Sequence, residues 1–403
     1  MAFSYHETDD TGDGTLTSFT HCRGCCIVYC RQCQAVLYPW LYVTGRKYCE
    51  FMSLDRKISV APMMDWTDRH CRYFLRGFSP GALLYTEMIT SAAIMRGDAR
   101  RLLAFDPEEH PVALQLGGSE PRELAGAARA GEAAGYDEIN LNCGCPSDRV
   151  ASGAFGACLM REPARVADCV AAMRAAVSIP VTVKMRIGVV SGTREQTRGA
   201  LSSFDQSDYD ALHTFVSLVR DAGCQVAIVH ARKAVLGGLS PKDNREVPPL
   251  RYDVVQRLRR AFGDLPMIVN GGFRTPASVL QALSWCDGVM LGREAYHRPY
   301  VLCELQQALD GPGRFEPPSR EALLERMARY AQRQLAQGDR LPTITRHMLG
   351  LYAGEPGARE YRRLLSEGAR AAGAGPELIR QVAVAARQVQ GKSAAPAAGG
   401  SCG

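Results

Sequence analysis

Between residues 57 and 310, short β-forming runs alternate with helix-compatible segments, and this alternation limits the possible folds more than any other feature. The runs are ISVAP, GALLYTEM, PVALQL, DEINLN, VTVKMR, VAIVHA, PMIVNGG and DGVMLGR. A parallel strand pair needs a long crossover and a helix supplies one, so the pattern predicts βαβ units around a parallel sheet. Proline opens helical segments at 121–134 and 163–177, where its missing N–H costs nothing. Eight such units fit a (β/α)8 TIM barrel of about 250 residues better than an open doubly wound sheet. Barrel chemistry gathers where strands end. These runs end at Met63 and Met64, Glu87, Gln115, Asn142, Lys184, His230, Asn270 to Gly272, and Gly292 with Arg293, which predicts one shared pocket.

The most informative strand end lies within residues 136–160, YDEINLNCGCPSDRVASGAFGACLM. The apolar run stops at Asn142, and Pro146 keeps Cys145 out of the helical region while Gly144 allows close backbone approach to a ligand. The Cys145 thiol is therefore presented just past a strand end. The alternative is that Cys143 and Cys145 are ordinary buried thiols or a Cys-x-Cys metal fragment.

The other strand ends add chemistry. Gly271 and Gly272 after strand seven and Gly292 after strand eight, with the cation Arg293, stand where barrels hold phosphate on backbone N–H groups. Glycine at a strand end is also plain turn chemistry, but two consecutive strands point to a phosphorylated ligand. Gln115 can donate to and accept from a heterocycle edge, and the Lys184 ammonium can stabilise charge on a ring, a pairing suited to a flavin. A salt bridge from Lys184 to Glu87 or Asp137 is the competing reading. A lone histidine after an apolar strand, as His230 is, is more often a hydrogen-bonded structural residue than a catalyst, although Arg232 and Lys233 beside it favour an anion.

Fifteen cysteines would suit a disulfide scaffold, but Cys158, Cys169, Cys224 and Cys286 sit in apolar stretches and read as reduced, buried side chains. A reducing compartment is expected, cytosol or an organelle matrix. Residues 1–57 read as a weakly ordered extension; Cys22, Cys25, Cys26, Cys30 and Cys33 crowd into twelve positions, too tight for ordinary zinc-pair spacing, so no metal is expected. No apolar run reaches the roughly 18 residues of a membrane span. Residues 189–209 lack periodicity and read as a polar loop on the active face. Helical spacing at 319–388 predicts a small helical domain, and residues 389–403 a disordered tail. The formal charge of +6 is mild and raises the case for a polyanionic partner only slightly.

Collinear motifs carry a resemblance: APMMDWTDRHCRYFLR (61–76), YTEM (85–88), PVALQLGGSEP (111–121), YDEINLNCGCPSDRV (136–150), FGACLM (155–160), VTVKMRIG (181–188), HARKAVLGGLSPKDNREVPPL (230–250), VNGG (269–272), DGVMLGREAYHRPY (287–300) and TRHMLGL (345–351). Over residues 58–363 the chain resembles the tRNA-dihydrouridine synthases of the DusA branch. The resemblance implies FMN across the mouth of a 58–310 barrel, recharged by NADPH, and reduction of uridine in the tRNA D-loop at positions 20 and 20a. It matches Pro62, Met63, Met64, Gln115, Lys184, His230, Asn270, Gly271, Gly272, Gly292 and Arg293 to FMN contacts, and Cys145 to the catalytic cysteine. Asn142, Asn244, Arg245, Arg359 and Arg362 match tRNA contacts, the last two on the helical domain. A monomer is expected.

Saturating the uracil 5,6 bond takes a hydride at C6, from reduced FMN, and a proton at C5. A thiol, which ordinarily titrates near about 8.5, is mostly protonated at neutral pH, so the expected role of Cys145 is general acid. A uridine in folded tRNA must also be turned out of its stack, which needs phosphate contacts elsewhere. Arg346, Arg359, Arg362, Arg363 and Arg370 could supply them, although a solvated helix face has the same composition. Two other functions fit parts of the sequence: a flavin oxidoreductase on free pyrimidines, and a tRNA-binding folding helper without chemistry. Departures from the family pattern are the N-terminal extension, the longer 189–209 segment and Cys143, which should point away from Cys145.

Overall fold

The structure, a computed structural model, describes residues 54–147 and 155–394, together with three short strands at Phe19–Cys22, Cys25–Cys30 and Ala35–Leu37. Those three form an antiparallel sheet in a separate unit. The rest of residues 1–53, residues 395–403 and the side chains of the N-terminal cysteines lie outside the described residues, and with them the weak order expected of the extension and the tail.

Eight parallel strands close on themselves: β1 (Ile58–Val60), β2 (Leu83–Tyr85), β3 (Val112–Gly117), β4 (Glu138–Cys143), β5 (Val181–Arg186), β6 (Ala227–His230), β7 (Met267–Asn270) and β8 (Gly288–Leu291). Each pairs with the next, and β8 returns to β1 through Val289 opposite Ile58, so no barrel strand is left as an open edge. This is the (β/α)8 barrel that the alternation predicts. Helices follow the strands: α1 (Arg69–Arg76), α2 (Ser91–Arg96), α3 (Pro121–Ala134), α4 (Pro163–Arg174), α5 (Gln206–Asp221), α6 (Tyr252–Ala261), α7 (Pro276–Leu283) and α8 (Val301–Asp310).

Alternation along the strands divides the side chains in two. Outward positions such as Leu114, Ile139, Leu141, Val183 and Val229 meet the helices in the main core. Inward positions build a smaller core of Leu83, Tyr85, Ala113, Ile228, Ile268 and Met290. The barrel starts earlier than the expected boundary at residue 57: Leu54 packs on this inner cluster and Arg56 bonds Glu138 at 2.7 Å.

The reading of residues 189–209 as a loop is corrected. Val189–Ser191 pairs with Ala234–Leu236, a helix spans Arg194–Ser202, and α5 begins at Gln206. Both helices start at capping boxes, Thr193 with Gln196 and Asp205 with Asp208, which supply partners for first-turn N–H groups. The first of these helices is short and polar, and only the first turn of α5 falls within the segment, so no 3.6-residue apolar period shows there.

Beyond the barrel, α9 (Arg320–Ala336), α10 (Ala358–Gly368) and α11 (Glu377–Ala394) form the C-terminal helical region. Its Leu324, Met327, Ile344, Met348 and Leu365 are fully buried and continuous with the main core. Helix α11 runs on to Ala394, past the expected start of the tail at 389.

Candidate active site

The strand ends meet in one cavity of about 1530 Å³. Pro62, Met63, Met64, Gln115, Asn142, Cys145, Lys184, His230, Arg245, Asn270, Gly271, Gly272, Gly292 and Arg293 all line it, so the barrel gathers most of the expected site residues.

Cys145 is held by its backbone. Its N–H and that of Gly144 donate to Asn142 Oδ1 at 3.0 and 2.9 Å, its carbonyl accepts from Ala157 N at 2.9 Å, and Arg186 Nε donates to the Gly144 carbonyl at 3.2 Å. The thiol is half-buried, 3.5 Å from Ser147 Oγ. Cys143, the last residue of β4, is buried in the outer core, where desolvation pushes its thiol well up. The two sulfurs therefore face different surroundings.

Asn142 spends its side chain on fastening this loop and on Gln115, donating from Nδ2 to Gln115 Oε1 at 2.9 Å. Lys184 Nζ donates to Asn270 Oδ1 at 3.1 Å; Asp137 instead holds His110 and the Val112 N–H. Asn270 in turn donates to the Met290 carbonyl across the β7–β8 seam.

Cations crowd the same wall. Burial, reinforced by the Arg186 charge, lowers Lys184 to about 7 despite the opposing pull of Cys145. Burial and the Arg245 and Arg232 charges bring Arg186 down to about 9. Burial, with Arg186 and Lys184 close by, drives His230 far below its ordinary value, so the imidazole is neutral. Arg186 was not among the expected site residues; its spacing of two from Lys184 on β5 is the signal, because alternate strand residues share a face. Lys233 is committed to Asp208 at 2.7 Å and leaves the anion-binding set.

The glycine ends have the geometry of a cradle. Gly271 and Gly272 have φ of +116° and +82°, and a Cβ on them would meet His230 Cδ2 at 2.8 Å and Leu250 Cδ1 at 2.5 Å. Only glycine fits there. At Gly292 a Cβ would find nothing nearer than Met63 Sδ at 4.0 Å, so the backbone lies open. Arg232 lines the cavity with its buried Nε lacking a hydrogen-bond partner, and Arg293 pairs with Glu246 at 2.5 Å. Surplus positive charge, an unpaired guanidinium N–H and exposed backbone fit a phosphorylated cofactor.

Asn244 sits elsewhere than expected. It is fully buried, accepting from Val235 N and donating to the Val235 and Leu239 carbonyls, so its side chain braces the loop instead of facing a substrate. Arg359 and Arg362 are exposed on α10, outside the cavity lining. Among the described residues no cluster of side chains could hold a metal ion, and no helix is long and apolar enough to cross a membrane.

Comparison with known proteins places these features in a wider group. The family described as dihydrouridine synthase (Dus) matches residues 59–388. A tRNA-dihydrouridine(20/20a) synthase of Xanthomonas campestris is 55% identical over 326 residues, 81% of this chain and 92% of the relative. Proteins of the same name from Pseudomonas syringae and Vibrio cholerae are 54% and 51% identical, covering 78% and 82% of this chain and 89% and 96% of their own lengths.

Proposed function

The chain belongs to the dihydrouridine synthase family, and from that premise we infer that it reduces uridine to 5,6-dihydrouridine in tRNA, at D-loop positions 20 and 20a, using FMN recharged by NADPH. The observation that carries the reading is the union, in one cavity, of a presented thiol, Cys145, with the Gly271–Gly272 and Gly292 cradle. The bound flavin supplies the hydride that a 5,6 double bond needs.

The chain's own residues do the rest. Backbone N–H groups of the cradle, with Arg232 and Arg293, would hold the phosphate, and Gln115 and Lys184, which line the same cavity, would meet the ring. Cys145 would hold its proton on Sγ and give it to C5 of the base. The resulting thiolate lies beside Lys184, Arg186 and Arg245, whose charges couple to it and offset the cost of burying an anion. Arg245, exposed at the cavity rim, and Arg359 and Arg362 on α10 hold tRNA phosphates, so that the target base enters and water leaves.

The test is direct. Purified protein should be yellow or become so with FMN, and should form dihydrouridine in uridine-containing tRNA with NADPH, as mapped by mass spectrometry. Cys145→Ala should keep the flavin spectrum and lose about 10²–10⁴-fold in turnover. Protein that stays colourless, or a Cys145→Ala variant of unchanged turnover, defeats the reading; faster reduction of free uridine than of tRNA moves the substrate to free pyrimidines.

A further inference from the structure

Five hydrogen-bond steps run from the Cys145 loop to the floor of the barrel, and all point the same way. The Gly144 and Cys145 N–H groups donate to Asn142 Oδ1. Asn142 Nδ2 donates to Gln115 Oε1 at 2.9 Å, Gln115 Nε2 to Asn140 Oδ1 at 2.7 Å, Asn140 Nδ2 to Thr182 Oγ1 at 2.8 Å, and the Thr182 hydroxyl to Glu138 Oε1 at 2.6 Å. Both ends fix the direction independently. A backbone N–H can only donate, and Glu138 is met by donors alone, Tyr85 and Thr182 on Oε1 and Arg56 twice on Oε2. Three amides and one hydroxyl between two fixed ends have a single consistent arrangement.

We propose that Glu138, fully buried on the barrel floor, is a positioning residue for the reaction: through Thr182 and Asn140 it decides which atoms Gln115 and Asn142 turn to the cavity and holds the Cys145 loop in place. The arrangement spends both amide oxygens inside the chain. Each of Gln115 and Asn142 keeps one N–H beyond its bond in the chain, and both residues line the cavity, so this wall offers donors to a carbonyl oxygen of a ring. Reversing the amides would present oxygens there and reject the same ligand edge. A buried Arg56–Glu138 pair that served the fold alone would need none of the intervening polar residues, since an apolar interior packs as well.

The activity arm of the test rests on the tRNA-reduction reading; the other arms do not. Thr182→Val keeps the volume and cuts the chain, Thr182→Ser restores the hydroxyl, and Glu138→Gln puts an N–H among four donors. In flavin-loaded protein, Thr182→Val and Glu138→Gln should raise iodoacetamide labelling of Cys145, followed by peptide mass spectrometry, at least threefold. They should lower kcat at least tenfold with tRNA affinity unchanged, and Thr182→Ser should recover most of both. Wild-type behaviour in Thr182→Val, or a loss that Thr182→Ser shares, overturns the proposal. Should the variants not fold, amide exchange in the flavin-loaded wild type decides: Gly144 and Cys145 should exchange at least a hundredfold slower than an unstructured peptide, and peptide-like exchange overturns it. Wild type that makes no dihydrouridine but passes the labelling and exchange arms rejects the tRNA reading alone.

Discussion

Lys184 shows how one side chain ties stability to pH. Its ammonium is buried beside Arg186, and its folded value of about 7 lies far below the about 10.4 of a free lysine. Between those values the unfolded chain binds more protons than the folded one, so the flavin-free protein gains stability as pH rises through that window and carries the full penalty below it. Replacing Lys184 with Met should raise the melting temperature of flavin-free protein at pH 7 by about 2–5 °C and flatten the rise toward pH 10. Flavin affinity should fall in the same variant. A melting profile parallel to wild type across pH 7–10 would show that the charge is not held at this cost. The residue scale is also where sequence reading stops short. Strand-end polarity made Lys184, Gln115 and Cys145 legible, because a barrel puts such positions in its mouth. Glu138, Asn140 and Thr182 gave no such signal, since polar residues in a short strand look like its solvent face until closure turns that face inward.

At the scale of elements, β-run and helix alternation was legible because each strand buries both faces and interrupts on glycine or a polar residue. The segment at 189–209 was not, and its local chemistry explains why. Of its helices the first, Arg194–Ser202, is polar, and the apolar stripe of α5 lies almost wholly beyond residue 209; the Thr193–Gln196 and Asp205–Asp208 spacings were the signal available. Asp205 is exposed and its Oδ1 accepts the cap bond from the Asp208 N–H at 2.9 Å, while Asp208 also grips Lys233. Asp205→Ala should therefore cost about 0.5–2 kcal/mol, lowering the urea midpoint with the slope unchanged. An unchanged midpoint would mean that α5 is set by its buried Leu212, Phe215 and Val216 alone.

For the whole molecule, the barrel and the helical region act as one body. Arg69 pairs with Asp339 at 2.6 Å, Tyr73 stacks on Tyr330 with centroids 3.9 Å apart, and Asp68 accepts from Arg346 and His347. Burial alone would raise the Asp68 carboxyl, but these partners hold it well below the usual carboxylate range. A phosphate held on the outer helices, as proposed, would thus be at a fixed distance from the cavity, as a base turned into the barrel would require. Arginines on α10 differ in what they have left to give. Arg363 already pairs with Glu360 and Glu367, whereas Arg359 and Arg362 are exposed and lie outside the ion pairs among the described residues. If Arg359 and Arg362 each neutralise one tRNA phosphate, replacing both with Ala should weaken tRNA binding and reduce the slope of log affinity against log salt by about 1.4–1.8. Flavin absorbance and turnover at saturating tRNA should hold, and Arg363→Ala should change the slope far less. A salt slope unmoved by the double replacement would return these arginines to a solvated helix face and leave the grip on tRNA to Arg245 and its neighbours at the rim.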